Sequence, residues 1–148
     1  MSRSLPERGA VWVLKLFLAV VWLWAGIAKL GDPAGFAEEI ANYQLLPWVA
    51  PYVASILPGV EIVLGLALLL PPWTRMARAS ALLTTGAMAG FTFAVTTVVA
   101  RGIDISCGCF GTGTGPVTGL TVLRDVALTA AAAAALWLSQ RAAREREG

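Results

Sequence analysis

The sequence predicts an all-α integral membrane protein, a single-domain bundle of four transmembrane helices. Of its 148 residues, 57% are hydrophobic and only 14% are charged, where a soluble domain carries about a quarter charged residues. Mean hydropathy is +0.73, so there is too little polar surface to cover a globule. Four stretches each reach the roughly 20 residues a helix needs to cross the hydrocarbon core. There is no His, which removes the commonest general base and metal ligand, and the two Cys lie two positions apart. The net charge of +2 falls in a few places and forms no stripe for nucleic acid.

The first span covers residues 10–30 and is broken only by Lys15 and Lys29. Its length, and the absence of a small-residue cleavage site after Lys29, favour a retained helix over a signal peptide. Lys15 is expected to snorkel to the inner interface. In the 31–49 connection Asp32 can cap a short helix with Pro33 in its first turn. Phe36, Ile40 and Tyr43 would share one face and Glu38 and Glu39 the other, giving a helix at the outer interface. The second span, 50–70, holds one charge, Glu61, and Pro71-Pro72 ends it. In the third, 77–100, Gly86 and Gly90 have the spacing of a close helix contact inside the bundle. The fourth, 117–138, contains Arg124-Asp125 and the alanine run 130–135, which reads as bundle packing too.

Charge sorts the connections. Arg3, Arg8, Arg75, Arg78, Arg141, Arg144 and Arg146 flank one end of the spans, while only Lys29 and Arg101 border the other. The positive-inside rule then places both termini in the cytoplasm and the 31–49 and 101–116 loops outside, in the inner membrane of a cell.

The second outer loop carries the most informative chemistry, Arg101 followed by Cys107-Gly108-Cys109-Phe110-Gly111. An oxidising exterior favours disulfides. Two Cys bracketing Gly108 can close only a very small ring, and strain raises the reduction potential of such a pair. Thiol–disulfide exchange is the leading reading. A loop staple is the second, although so short a ring removes little chain entropy. Metal binding by two thiolates comes third, with no His to complete a site.

Charges within spans need partners. Glu61 and Arg124 enter their helices about eleven and seven residues from the outer end, a depth difference of ~6 Å at 1.5 Å per residue. Glu61 with Arg124 is therefore the first pairing, with Lys29 or Arg101 as alternative partners for Glu61 or Asp125. The network would hold the bundle in register, move protons, or let Arg101 or Arg124 lower a Cys pKa.

The order of these features resembles the DoxX-like membrane proteins, specifically the methylamine-utilisation MauE branch. The matching residues are Ala25-Gly26-Ile27-Ala28-Lys29-Leu30, Tyr43 with Leu45-Leu46-Pro47, and Leu57-Pro58 with Glu61 and Gly65. Cys107-Gly108-Cys109-Phe110-Gly111 and Arg124-Asp125 complete the pattern. The resemblance implies a four-helix bundle in the cytoplasmic membrane and an association with thiol redox and the maturation of disulfide-containing exported proteins. Membrane oxidoreductases that pass electrons from thiols to a quinone are a looser analogy. They use two Cys pairs, and this chain has one, so only a one-pair exchange or a relay shared with a partner remains.

The expected function is a membrane thiol–disulfide component. Cys107 and Cys109 would exchange with an exported thioredoxin-like or disulfide-containing protein, with Glu61, Arg124, Asp125 and Lys29 in support. A quinone is a candidate electron acceptor, though no residue specifies one. The alternative is a non-catalytic scaffold or maturation factor for a redox or metal-centre assembly. A permease ranks last, since four short helices leave little room for an alternating-access site. Homo- and hetero-oligomers are both open.

Overall fold

The computed structural model describes residues 5–105 and 115–147. It is all-α: α1 (Leu5–Leu30), α2 (Pro33–Asn42), a 3-10 turn (Pro47–Val49), α3 (Ala50–Leu68), α4 (Arg75–Ala100) and α5 (Gly119–Glu147). Four of the helices are long and apolar enough to cross a membrane. The short helix between the first two starts where the sequence places it. The Asp32 carboxylate accepts a hydrogen bond from the Gly35 amide at 3.0 Å, and Pro33 takes the first turn. Thr74 caps α4 in the same way, its hydroxyl accepting from the Ala77 amide at 3.2 Å.

The helices overrun the apolar stretches. The first begins at Leu5 and the last continues to Glu147. Residues 139–147 are Ser-Gln-Arg-Ala-Ala-Arg-Glu-Arg-Glu, good helix formers without Gly or Pro. Hydropathy marks where a helix can meet lipid, not where its backbone ladder stops.

α1 packs chiefly on α3 and α4 on α5, and α1–α5 and α3–α4 contacts join the two pairs. Both pairs run antiparallel. In the first, Lys29 near the end of α1 meets Glu61, and Lys15 earlier in α1 reaches the Leu70 carbonyl just beyond α3. The core gathers Leu18, Ala19 and Trp22 with Leu64, Leu68, Met88 and Leu128, and closes around Ala132 and Ala135 of the alanine run. Trp22 meets Phe91 at 6.2 Å between ring centroids. The opposite face of α1 exposes Val13, Phe17, Val20, Trp24 and Ile27, at steps of four and three residues. So continuous an apolar stripe suits lipid and would be unusual in water.

Three packing expectations change. Gly86 and Gly90 lie on the exposed side of α4, and a Cβ on either would meet nothing within 4 Å. The close approach is made by Gly26 and Gly65 instead. A Cβ on Gly26 would stand 2.8 Å from Ile62 Cγ1 and 2.9 Å from the Pro58 carbonyl oxygen; one on Gly65 would stand 2.8 Å from Leu23 Cγ. The spacing of two glycines along one helix cannot say which face they occupy. Lys15 is fully buried rather than snorkelling outward: it donates to the Leu70 carbonyl, satisfying an acceptor at the end of α3, and lies 5.5 Å from the Trp12 ring. Glu39 is buried with Phe36 rather than facing away from it, because positions three apart on a helix share a face.

A buried ion pair and two cavities beneath the short helix

The candidate site begins with Gly26. Because no Cβ intervenes, α1 lies close against the Pro58–Ile62 turn of α3. One helical turn on, Lys29 extends toward that same turn. Its Nζ donates to both oxygens of Glu61, at 2.8 and 2.9 Å, and more distantly to the Ala25 carbonyl at 3.4 Å. The two side chains are 2% and 1% exposed, so the pair is enclosed by protein. Phe36 of α2 covers it, with Nζ 5.3 Å from the ring centroid.

This geometry corrects the Glu61–Arg124 pairing. Arg124 turns to its neighbour, with Nε and Nη2 on Asp125 Oδ1 at 2.9 and 2.8 Å. Arg124 is 38% exposed and Asp125 only 6%, so the carboxylate points into the bundle and the guanidinium toward its surface. Similar depth placed Glu61 and Arg124 together in sequence terms. Rotation about the helix axis decided otherwise, because α3 is flanked by α1 and Lys29 is already there.

Asp125 nevertheless joins the site by another route. A cavity of about 30 Å³, room for one or two water molecules, is bordered by Trp22, Lys29, Glu61 and Asp125. Asp125 Oδ2 and Trp22 Nε1 are buried with no hydrogen-bond partner among the described residues. Residues from α1, α3, α4 and α5 thus converge on one small, mostly apolar space, with Met88, Phe91 and Leu128 beside the charged groups. Around it Thr92 and Thr129 pair their hydroxyls at 2.9 Å between α4 and α5.

A larger cavity of about 230 Å³ lies under α2. Lys29 and Glu39 share its walls with Phe36, Tyr43, Leu57 and Phe91. Sequence reasoning missed Glu39 and Trp22. The spacing of Phe36, Glu39, Ile40 and Tyr43 held the signal for Glu39; nothing in the sequence singled out Trp22 among the Trp residues.

Arg101 stands apart from the ion pair. From the end of α4 its guanidinium donates to the Tyr43 carbonyl and to Gln44 Oε1, both at 3.3 Å. Gln44 has φ +54°, a left-handed turn by which the chain leaves α2. The same end of the structure holds the base of the second loop, where the Val117 amide donates to the Ile105 carbonyl at 2.9 Å. Cys107, Gly108, Cys109 and Phe110 lie outside the described residues.

The model of one family, methylamine utilisation protein MauE, matches residues 7–138. The chain belongs to the MauE family. It is 35% identical over 137 residues to the methylamine utilization protein MauE of Paracoccus denitrificans, covering 90% of this chain and 72% of that one. It is 33% identical over 135 residues to the MauE of Paracoccus versutus, covering 89% and 71%. The MauE of Methylophilus methylotrophus is 39% identical over 97 residues, or 64% of this chain and 49% of that protein. No solved structure matches the chain. The stretch matched by the MauE model takes in the Lys29–Glu61 pair, Arg101, the Cys-Gly-Cys segment and Arg124-Asp125.

Proposed function

We propose that this MauE-family protein is a membrane thiol–disulfide component whose Cys107–Cys109 pair exchanges with an exported protein. The observation that carries this reading is the placement of the chain's only two cysteines. They stand two positions apart in the loop between α4 and α5, whose base is tied at Ile105–Val117. Arg101, at the start of that loop, is fastened to the end of α2. Both termini and the α3–α4 connection are on the cytoplasmic side in this reading, because seven Arg residues cluster there.

The exchange is balanced by sulfur chemistry alone. One thiolate of the pair attacks a partner disulfide, forming a mixed disulfide and releasing one partner thiolate. The second Cys then attacks its neighbour's sulfur, closing Cys107–Cys109 and releasing the other partner thiolate, which takes up a proton. Two thiols are oxidised and one disulfide is reduced; the reverse sequence transfers oxidising equivalents outward. Lys29 and Glu61 support the loop from within the bundle by holding α1 against α3, with Asp125 of α5 bordering the same small cavity. A lipid-borne quinone would find apolar walls in the cavity under α2, with Lys29 and Glu39 as its polar edge.

The deciding experiment alkylates native membranes with a mass-shifting thiol reagent across a dithiothreitol series. Reversible titration at an oxidising potential, with a mixed disulfide trapped by Cys107→Ser or Cys109→Ser, supports exchange. A pair reduced only under strongly reducing conditions, with no trapped partner in either variant, rejects it.

The second reading is a maturation scaffold serving methylamine utilisation, the process in its relatives' names. A fully enclosed, doubly bonded Lys29–Glu61 pair favours it, since such a pair can fix helix register without any chemistry. On that reading Cys107 and Cys109 are dispensable together.

A further inference from the structure

At the opposite end from α2, the first turn of α4 and the last third of α5 enclose a groove of about 240 Å³. Arg75, Arg78 and Gln140 form its rim, and Ala79, Leu82 and Leu136 its walls. We propose that this groove binds the phosphate headgroup of an anionic lipid.

Depth is the first argument. From Gly119 to Gln140 is 21 residues, about 32 Å of helix at 1.5 Å per residue, close to the thickness of the hydrocarbon core. With Gly119 at one edge of the hydrocarbon core, Gln140 would sit at the other, at headgroup level, with Leu136 and Leu82 below it where acyl chains begin. Charge is the second argument. Neither Arg75 nor Arg78 meets a carboxylate among the described residues, and none of the six lining residues is acidic. Arg78 Nε is buried without a hydrogen-bond partner among them. An anionic oxygen would satisfy a guanidinium N–H that has been withdrawn from solvent without a protein acceptor. Arg141 lies over the Trp137 ring at 3.7 Å and does not line the groove, whose cations are Arg75 and Arg78. Two forked guanidiniums and an amide over an apolar slot fit a phosphodiester with its acyl chains attached, and basic pockets between helices at a membrane's cytoplasmic edge take such headgroups.

The test is native mass spectrometry of the full chain released from nanodiscs of equal phosphatidylglycerol and phosphatidylcholine, with and without inorganic phosphate. Wild type is expected to retain phosphatidylglycerol selectively, and millimolar inorganic phosphate should not displace it. The double variant Arg75→Gln/Arg78→Gln should lose that retention on the order of thirtyfold. Ala79→Trp, at an exposed position on the groove wall, obstructs the slot without removing a charge and should also lose it, which covers the case of a double variant that fails to fold. Equal retention of the two lipids overturns the proposal. So does displacement by inorganic phosphate, or undiminished retention by a folded variant.

Discussion

Lys29 and Glu61 meet inside the protein at 2.8 and 2.9 Å, joining the end of α1 to the middle of α3 with neither side chain appreciably exposed. Each charge makes the other tolerable in a low-dielectric setting, so the pair behaves as a unit. Removing one partner by Lys29→Met or Glu61→Leu should destabilise the protein by about 3–5 kcal/mol, because the survivor is left buried and uncompensated. The double variant removes both charges and should recover most of that loss. Unfolding midpoints in detergent for wild type, the two single variants and the double variant check this. Additive losses would mean that the two residues are not coupled.

Gly26 makes that meeting possible. Alanine normally favours a helix over glycine by about 1 kcal/mol. Gly26→Ala should reverse that sign and cost about 1–3 kcal/mol by overpacking, because one of its clashes is with the Pro58 backbone carbonyl, which has no rotamer to escape into. Gly86→Ala and Gly90→Ala meet open space and should leave stability unchanged or slightly raised. Thermal unfolding of the three variants side by side gives the comparison.

The contrast between Gly26 and Gly86 also shows how far the sequence could be read. Composition and the length of apolar runs announce helices that can span a membrane, and Asp32-Pro33 announces the short helix between them, since each depends on local physics. Which residues touch across the bundle depends on how each helix is rotated, and uniformly apolar helices encode that weakly. Gly86 and Gly90 therefore read as a contact inside the bundle and do not make one there. Glu61 and Arg124 matched in depth, but depth is one coordinate of three. Lys29 was legible as an alternative partner because a buried carboxylate needs a cation and few exist. Glu39 was recoverable from its three-residue spacing to Phe36.

Arg101 should control the end of α2 and little else. Its two contacts to Tyr43 and Gln44 are exposed, at the long end of hydrogen-bond distances. Arg101→Ala should leave the unfolding midpoint within the range of ordinary surface substitutions, while the Tyr43 and Gln44 amides, which close the last turn onto Ile40 and Ala41, exchange hydrogen severalfold faster. Hydrogen–deuterium exchange of the 39–46 segment reads this directly. Unchanged exchange would mean that Arg101 does not hold the end of α2.

The orientation proposed from the arginines can be tested independently of any redox chemistry. Asp104 is exposed just after α4, and Arg144 is exposed near the end of α5, one helical turn beyond Gln140 of the groove. In a Cys107→Ser/Cys109→Ser background, Asp104→Cys should react with a membrane-impermeant maleimide added to intact cells, and Arg144→Cys only after permeabilisation. The positive-inside rule counts Lys and Arg in short connections close to the spans, which is where Arg75, Arg78 and Arg141 stand. The reverse labelling pattern would turn the molecule over. The Cys pair would then face a reducing cytoplasm, where a standing disulfide is disfavoured, and exchange with an exported partner would be geometrically impossible. Mixed labelling of both sites would indicate two orientations in the same membrane. The labelling measurement therefore decides the thiol proposal alone, because the lipid groove is defined by depth and charge and is presented with both lipids at either end of the bundle.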